Sequence, residues 1–362
     1  MLTSASPKRL LSQKHIRFWD GTDMTSNTLK LEGDGAIAAP TLTAFLAEKA
    51  GQDAEAQALA RLLAGIAEGA APLATRLAQG RLMGDPTATV GVNNSGDKQK
   101  ALDMAAHHHY LDVLAQAGVA KVLSEEAEEV ITLDEGGLFD VAMDPIDGSG
   151  SIGIGAPLGA LFCVFKAGES FLRSGREILA AAYVSFGHSV DFGFSTGAGT
   201  HIATYDPVTG QFYVDSPDVR IAPSTSSVAF NASNLRRWPL PLRRYVEALL
   251  AGVEGPRGRD FNMRWIAAAV GDLHRILRKG GTFMYPADAR KGYEGGFLRL
   301  PYEAFPIAYL IEQAGGAATD GHGAILDLIP DDLHAKVPLY FGSADEIAVV
   351  TAALGPRPVP PT

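Results

Sequence analysis

The stretch that decides the fold is Val141-Ala142-Met143-Asp144-Pro145-Ile146-Asp147-Gly148-Ser149-Gly150-Ser151. An apolar run typical of a buried strand leads into Asp144, and Pro145 then disturbs the hydrogen-bond ladder. Asp144 and Asp147 flank the bend, and the Gly-Ser-Gly-Ser turn behind them can point N–H groups and hydroxyls at an anion. Alone, such a segment is more often a turn whose aspartates satisfy backbone donors.

A second acidic segment lies about 20 residues earlier, where the apolar run 119–123 leads into Ser124-Glu125-Glu126. Two adjacent acids after a strand repel each other unless a cation or solvent relieves them. The alternative is the first turn of a helix, which suits acids and which Glu128 and Glu129 would extend. The two segments in which a strand leads into acids are together a more specific signal of a binding site than either segment alone. They predict a site for hard divalent cations such as Mg²⁺.

Around these segments the chain alternates between helical and strand-like patterns. Residues 41–82 and 98–117 show helical apolar spacing, with a loop predicted at 83–98 and irregular structure at 15–40. Strands are predicted at 119–123, 138–143, 159–165, 178–186, 201–205, 211–214, 281–285 and 337–341, and later helices at 241–250, 267–277, 302–314 and 343–354. This mixed order indicates layered sheets and helices.

The composition restricts the function classes. The chain has 362 residues, 46% of them hydrophobic and 20% charged, and its net charge is −10. Nucleic-acid binders usually carry a basic face, so no nucleic-acid partner is expected, and no apolar run is long enough for a membrane span. The N-terminus lacks an apolar signal core, which predicts a cytoplasmic location. The single cysteine, Cys163, lies in an apolar strand and is interpreted as a core residue.

Several ordered motifs together resemble the inositol-monophosphatase and fructose-bisphosphatase superfamily, and within it the class I fructose-1,6-bisphosphatases. The resemblance covers nearly everything from residue 41 to residue 350. Its motifs are Gly96-Asp97-Lys98-Gln99-Lys100-Ala101-Leu102-Asp103, Ser124-Glu125-Glu126, Met143-Asp144-Pro145-Ile146-Asp147-Gly148-Ser149, Gly271-Asp272-Leu273-His274-Arg275, Phe283-Met284-Tyr285-Pro286-Ala287, Leu298-Arg299-Leu300-Pro301-Tyr302-Glu303, Glu312-Gln313-Ala314-Gly315-Gly316 and Asp327-Leu328-Ile329-Pro330.

The resemblance implies an α/β (α+β layered) sugar-phosphatase fold with alternating α-β-α-β-α layers in two packed subdomains. We expect an N-terminal subdomain at 15–220 carrying most metal ligands and a C-terminal sugar-phosphate-binding subdomain at 221–354. Residues 355–362 form a Pro-rich tail, which is expected to be disordered.

The resemblance also assigns site residues. The implied metal ligands are Asp97, Glu125, Asp144, Asp147, Glu303 and the carbonyl of Ile146. Glu126, Asp103 and Asp97 are the implied catalytic acids, with Glu126 and Asp103 activating the attacking water. The implied substrate contacts are Asp147, Gly148, Ser149, Gly150, Asn231, Arg264, Trp265, Tyr285, Lys291 and Arg299. Without the resemblance, Asp97 and Asp103 would be solvated acids at a helix start, and Glu303 a helix N-terminal acid.

The implied reaction is Mg²⁺-dependent hydrolysis of the 1-phosphate of fructose 1,6-bisphosphate, with two or three ions per subunit that Mn²⁺ can replace. The implied assembly is a homotetramer, or else a dimer, in which Arg264 reaches a neighbouring site. Two alternatives are another phosphomonoesterase of the inositol-phosphatase superfamily and a catalytically silent regulatory homologue.

The sequence departs from the family pattern in four places. Gly150-Ser151 replaces a Ser-Asn pair and Trp265 replaces a tyrosine. Phe297 replaces a substrate lysine or arginine, for which Arg290 or Lys291 is the expected substitute. The changes at Trp265 and Phe297 make sedoheptulose 1,7-bisphosphate the expected second substrate. The animal-type AMP site is missing, since its positions hold Glu55-Ala56-Gln57-Ala58, Leu138-Phe139 and Lys166.

The run His107-His108-His109 is a further metal candidate. On a predicted helix three consecutive residues point to different faces, so a solvated interpretation is favoured.

Overall fold

The computed structural model describes residues 38–92 and 98–357. Within this part, helices and sheets alternate in five layers. Asp97, residues 15–37 of the predicted N-terminal subdomain and residues 358–362 of the predicted tail lie outside the described residues.

Three helices form the first layer: α1 (Leu42–Ala50), α2 (Ala54–Ala78) and α3 (Ala101–Gln116). The side chains of Thr41 and Asp53 cap α1 and α2 by accepting hydrogen bonds from backbone N–H groups of the first turn. The predicted loop at 83–98 is partly wrong, because it contains most of an antiparallel ribbon of β1 (Thr89–Val92) and β2 (Lys98–Lys100).

An eight-stranded sheet forms the second layer, in the spatial order β10-β9-β8-β7-β6-β5-β3-β4. Its strands are β3 (Val119–Ser124), β4 (Ile131–Thr132), β5 (Phe139–Asp147), β6 (Leu158–Lys166), β7 (Ile178–Phe186), β8 (Val190–Ser195), β9 (Thr200–Asp206) and β10 (Gln211–Val219). Alternate residues of β6 serve two cores: Phe162 and Val164 pack toward α1–α3, whereas Cys163 and Phe165 face the opposite layer. Cys163 is therefore the core residue that the sequence predicted.

The remaining elements form the other three layers. They are β11 (Ser227–Ala229), α4 (Leu240–Leu250), β12 (Asn262–Met263), α5 (Ala269–Lys279), β13 (Thr282–Tyr285), β14 (Leu298–Arg299), α6 (Phe305–Gln313), β15 (Ala317–Thr319), β16 (Lys336–Val337), β17 (Leu339–Gly342) and α7 (Ala344–Leu354). Helices α5 and α6 lie between the large sheet and a five-stranded sheet of order β12-β11-β13-β17-β15, and α4 and α7 cover its outer face. The predicted α-β-α-β-α layering is confirmed.

Several boundaries differ from the sequence predictions. Strand β8 was not predicted, and the helix expected at 302–314 begins with a π-helical turn at Leu300–Ala304. Gly355 and Arg357, in the predicted tail, contact His322 and Asp320 respectively. The subdomain boundary near residue 220 stays a prediction. In the described part of the chain, no helix combines the length and apolarity that crossing a membrane requires.

Candidate active site

The site forms where two parallel strands end side by side. Strands β3 and β5 pair in parallel, so Glu125 and Asp144 leave the same edge of the large sheet. The backbone N–H of Glu125 donates to the carbonyl of Met143 at 3.1 Å, which ties the two strand ends together. Strand β5 continues through Pro145 to Asp147, with a register irregularity between the two aspartates.

Three buried carboxylates meet beside these strand ends. One ligand atom each from Asp144, Asp147 and Glu303 lies within 4.8 Å of the others. Backbone N–H groups orient each of them: Ile146 donates to Asp144 at 2.9 Å, Val270 to Asp147 at 2.6 Å and Arg299 to Glu303 at 2.6 Å. Residues more than 150 positions apart in sequence therefore form one cluster.

Burying these acids together disfavours their charged forms. Burial, with the nearby Glu125 carboxylate as the next cause, raises the pKa values of Asp144 and Glu303 well above their usual range. Burial raises the pKa of Asp147 to about 7. A divalent cation is the partner that relieves such repulsion, and carboxylate oxygens with the Ile146 carbonyl are the donors that Mg²⁺ prefers.

The acids that follow β3 lie in a turn. Residues 125–130 form turns and bends, so the helical alternative for Glu125, Glu126, Glu128 and Glu129 is wrong. Glu125 forms an ion pair with the guanidinium of Arg299 at 3.2 Å. It lies near Asp144 but outside the group of Asp144, Asp147 and Glu303, and its role as a metal ligand stays a prediction.

Two further acids face the same cavity and carry raised pKa values. Burial raises the pKa of Glu126 to about 7, although the hydrogen bond from Gln99 to its Oε2 at 2.7 Å works in the opposite direction. Burial raises the pKa of Asp103, at the start of α3, to about 6. Asp103 Oδ2 accepts from the N–H of Lys100, while Oδ1 is buried without a hydrogen-bond partner in the described structure. Such groups suit proton transfer near neutral pH.

The Gly148–Gly150 turn borders the carboxylates. Gly148 has a φ of 82°, and a Cβ there would come within 2.6 Å of the Ala268 side chain, so only glycine fits. The Lys100 ammonium donates to the carbonyl of Ser149 at 2.6 Å and brings a positive charge to this turn. A Cβ at Gly150 would lie in open space, so steric crowding does not explain why this chain lacks the family's serine at that position.

An aromatic wall closes the other side of the cavity, whose volume is about 350 Å³. Trp265 stacks on Phe283 at 5.5 Å between ring centroids, and Tyr285 stacks on Phe297 at 5.4 Å. All four rings line the cavity together with Arg299. The sequence predicted that Trp265 and Tyr285 contact the substrate. Phe297 was noted only because it replaces a positively charged residue of the family.

Other predicted residues lie away from this cavity. Asn231 is exposed and lines a small neighbouring pocket with Tyr285 and Arg290. Arg264 is exposed and donates to the Asn262 side chain at 2.6 Å. Lys291 is exposed and does not line the cavity, so the structure does not bring it to the site as predicted.

The histidine run is solvated only in part: His108 is exposed, as the sequence predicted, and His109 is half-buried. His107 is only 4% exposed, and its Nδ1 lies 2.9 Å from Ser124 Oγ. His109 Nε2 lies 2.7 Å from the carbonyl of Gly69. For His107 the solvated interpretation is wrong, because the face of α3 that carries it packs against the end of β3. The described residues show no metal-ligand group at this run.

Sequence reasoning missed several cavity residues. Gln99, Ala267, Ala268 and Ala269 all line the cavity, and none carries a residue type that signals a site. The one available signal was the position of Gln99 next to acidic motif residues. Ala267 and Ala268 come from the loop before α5 and Ala269 is the first residue of that helix, so their approach to the site depends on the tertiary fold.

A layered α/β fold with clustered carboxylates beside a glycine-containing turn is typical of a phosphatase site. Sequence profiles described as "Fructose-1-6-bisphosphatase, N-terminal domain" and "Fructose-1-6-bisphosphatase, C-terminal domain" match residues 40–217 and 221–355. The chain therefore belongs to the fructose-1,6-bisphosphatase family of phosphatases.

Individual relatives agree with this assignment. Class 1 fructose-1,6-bisphosphatase of Brucella suis is 48% identical over 325 residues, which cover 89% of this chain and 96% of the relative. The corresponding Brucella ovis protein is 47% identical over the same coverage. The holo crystal structure of Leishmania major fructose-1,6-bisphosphatase superposes with a TM-score of 0.81 at 28% identity, covering 88% of this chain and 99% of that chain.

Proposed function

We propose that the protein hydrolyses fructose 1,6-bisphosphate at its 1-phosphate, releasing fructose 6-phosphate and inorganic phosphate in a Mg²⁺-dependent reaction. The observation that carries this proposal is the meeting of Asp144, Asp147 and Glu303 within 4.8 Å beside the Gly148–Gly150 turn. The names of the relatives support the substrate.

The donor set fits two or three Mg²⁺ ions. Asp144, Asp147, Glu303, Glu125 and the Ile146 carbonyl would hold them, with Asp97 as a further predicted ligand, and Mn²⁺ is the expected substitute. Bound Mg²⁺ would offset phosphate charge and lower the pKa of a coordinated water. The unpartnered Oδ1 of Asp103 points to a polar species that completes the site.

The chain's own residues supply the remaining chemistry. Glu126 and Asp103, with pKa values of about 7 and about 6, can accept a proton from the attacking water near neutral pH. The N–H groups of the Gly148–Gly150 turn and the Ser149 hydroxyl would bind non-bridging phosphate oxygens. Arg299 would contact the anionic substrate, and the Trp265–Tyr285 wall would exclude water from the sugar side.

The aromatic wall also supports sedoheptulose 1,7-bisphosphate as a second substrate. Stacked rings present an apolar surface with little directional demand, which suits sugars of different length. We further propose a homotetramer, with a dimer as the alternative, because Arg264, a predicted substrate contact, is exposed and does not line the cavity of its own chain. The cytoplasmic location and the absence of nucleic-acid partners stay predictions.

The test is phosphate release from fructose 1,6-bisphosphate, sedoheptulose 1,7-bisphosphate and inositol 1-phosphate, with Mg²⁺ and with chelator. We expect Mg²⁺-dependent release from the bisphosphates, loss of at least about 100-fold in Asp144→Asn, and no change in the exposed control Asp331→Asn. Preference for inositol 1-phosphate would favour the wider superfamily. No release from any substrate would favour a silent homologue.

A further inference from the structure

The acids of the site come from two turns that are distant in sequence. Glu125 and Glu126 lie in the turn at 125–130, whereas Glu303 lies in the π-helical turn Leu300–Ala304. Metal ligands and proton acceptors are effective only when their relative positions are fixed. The two turns therefore need contacts that hold them against each other.

One such contact lies inside the cavity. Arg299, directly before the π-helical turn, forms an ion pair with Glu125 at 3.2 Å, and both residues line the cavity. Because both groups are proposed to bind an ion or the substrate, an entering ligand competes with this ion pair. The ion pair alone cannot fix the two turns while ligands bind.

His334 forms a second contact between the turns, outside the cavity. Its Nδ1 lies 2.8 Å from the hydroxyl of Tyr302, and its Nε2 lies 3.2 Å from the carbonyl of Glu128. Tyr302 is buried and directly precedes Glu303, and Glu128 follows Glu126 by two residues. His334 is half-buried and is not one of the described residues that line the cavity. One imidazole thus connects both turns without touching the reacting groups.

The two partners of the imidazole determine where its hydrogen lies. A carbonyl oxygen only accepts, so Nε2 carries the hydrogen and donates it to Glu128. In the neutral ring Nδ1 is then the acceptor, and the Tyr302 hydroxyl donates to it. Both ring nitrogens are therefore used, and the tautomer of His334 is defined by its contacts.

The backbone around His334 is attached to the π-helical turn independently of the imidazole. The N–H of His334 donates to Asp332 Oδ1 at 2.8 Å, and the N–H of Leu300 donates to the carbonyl of Ala335 at 2.7 Å. Removing the imidazole would leave these bonds in place. The change would therefore release the 125–130 turn and spare the turn that carries Glu303.

We propose that His334 is a positioning residue that holds the 125–130 turn against the π-helical turn, and so orients Glu125 for metal binding and Glu126 for proton transfer. This inference rests on the proposed function. Because His334 contacts neither of these carboxylates, its effect is on their orientation. Loss of the imidazole should lower Mg²⁺ affinity and kcat together and leave sugar binding at the aromatic wall unchanged.

The experiment measures phosphate release from fructose 1,6-bisphosphate over a range of Mg²⁺ concentrations. In His334→Ala we expect the half-maximal Mg²⁺ concentration to rise about 10-fold and kcat at saturating Mg²⁺ to fall about 10-fold, with little change in KM. His334→Gln places an amide donor near the position of Nε2, so it can still donate to Glu128 and should recover most of both losses. His334→Asn places its amide near Nδ1 only and should resemble His334→Ala.

His322→Ala is the matched control. His322 Nδ1 lies 2.9 Å from the carbonyl of Gly355, a histidine–carbonyl contact at residues that do not line the cavity. This variant should match wild type in kcat and in Mg²⁺ dependence. A calorimetric titration with Mn²⁺ tests the same inference without turnover, and the Kd for Mn²⁺ should rise about 10-fold in His334→Ala.

An unchanged Mg²⁺ dependence with an unchanged Kd for Mn²⁺ would overturn the proposal, and so would a rise in KM alone. Equal recovery by His334→Gln and His334→Asn would also contradict it, because only the Glu128 contact joins the turns. Thermal unfolding shows whether each variant is folded; a lower Tm with wild-type kcat and Mg²⁺ dependence would make the role merely structural. If wild type binds Mn²⁺ but releases no phosphate, the proposed function fails and the Mn²⁺ titration still decides the role of His334. If wild type binds no Mn²⁺, both proposals fail.

Discussion

The side-chain amide of Gln99 donates a hydrogen bond to Oε2 of Glu126 at 2.7 Å and a second one to the Glu126 carbonyl at 3.0 Å. The ribbon strand β2 thereby fixes the orientation of an acid that follows β3. Because Gln99 and Glu126 both line the cavity, this contact couples the ribbon to the proposed proton acceptor.

Replacing Gln99 by leucine tests this coupling. The carboxylate of Glu126 would lose its orienting donor, and small displacements of catalytic groups are costly. We expect kcat to fall about 10-fold with little change in KM. Gln211→Leu, an exposed substitution on β10, should leave both constants unchanged. A change in KM alone would contradict a positioning role for Gln99.

Ala267 has a φ of 69° beside the cavity, in a region that alanine rarely adopts. The strain is about 1–2 kcal/mol, and glycine would relieve it at an entropic cost of about 0.4–1 kcal/mol in the unfolded chain. Ala267→Gly should therefore raise the free energy of unfolding by about 0.5–1 kcal/mol in urea titrations.

The matched substitution for this test is Ala105→Gly, at an exposed position inside α3. Glycine there should lower the free energy of unfolding by about 1 kcal/mol, because glycine is less favourable than alanine inside a helix and no backbone strain is relieved. If both variants lose stability equally, the backbone at Ala267 is not strained.

The sequence was most informative where local pattern and burial agree. Apolar runs predicted β5, β6 and β7 closely, because a strand inside the sheet is buried on both faces. Strand β8 was not predicted, because Asp191 and Gly193 interrupt its apolar pattern. Gly193 is required there, since a Cβ would collide with the ring of Tyr183 on the neighbouring strand, which only the sheet order reveals.

The sequence predicted the acidic residues of the site, but it did not predict which other side chains lie around them. Asp144, Asp147 and Glu125 follow strands in the sequence itself, whereas Glu303 required the resemblance because it comes from the turn before α6. Lys336 and Arg299 are 37 residues apart, and only the register of β14 and β16 places them together. Cross-strand neighbours of this kind leave no periodic signal in a single sequence.

His107 predicts a pH-dependent stability. Burial, with a smaller contribution from His108, lowers its pKa from 6.5 to about 4, so the folded protein keeps it neutral. Above pH 6.5 both states are neutral, and as the pH falls the unfolded state binds the proton first. Between pH 7.5 and pH 5, wild type should lose about 2 kcal/mol more unfolding free energy than His107→Gln.

Urea unfolding at the two pH values measures this difference. His188→Gln, at an exposed histidine, is the control and should follow wild type. Parallel losses in wild type and His107→Gln would mean that the histidine is protonated in the folded state.

The ion pair between Lys166 and Glu55 bears on nucleotide regulation. The two groups lie 2.8 Å apart at exposed positions. The family resemblance predicts that these positions match those of the animal-type AMP site. Glu55 neutralises the lysine and repels an incoming phosphate, and an exposed pair of this kind contributes at most about 1 kcal/mol. AMP should therefore not inhibit at submillimolar concentration, as measured by phosphate release from fructose 1,6-bisphosphate. Glu55→Gln removes the repulsion and should make any weak AMP effect stronger. Submillimolar inhibition in wild type that disappears in Lys166→Met would show that the lysine binds the nucleotide despite its partner.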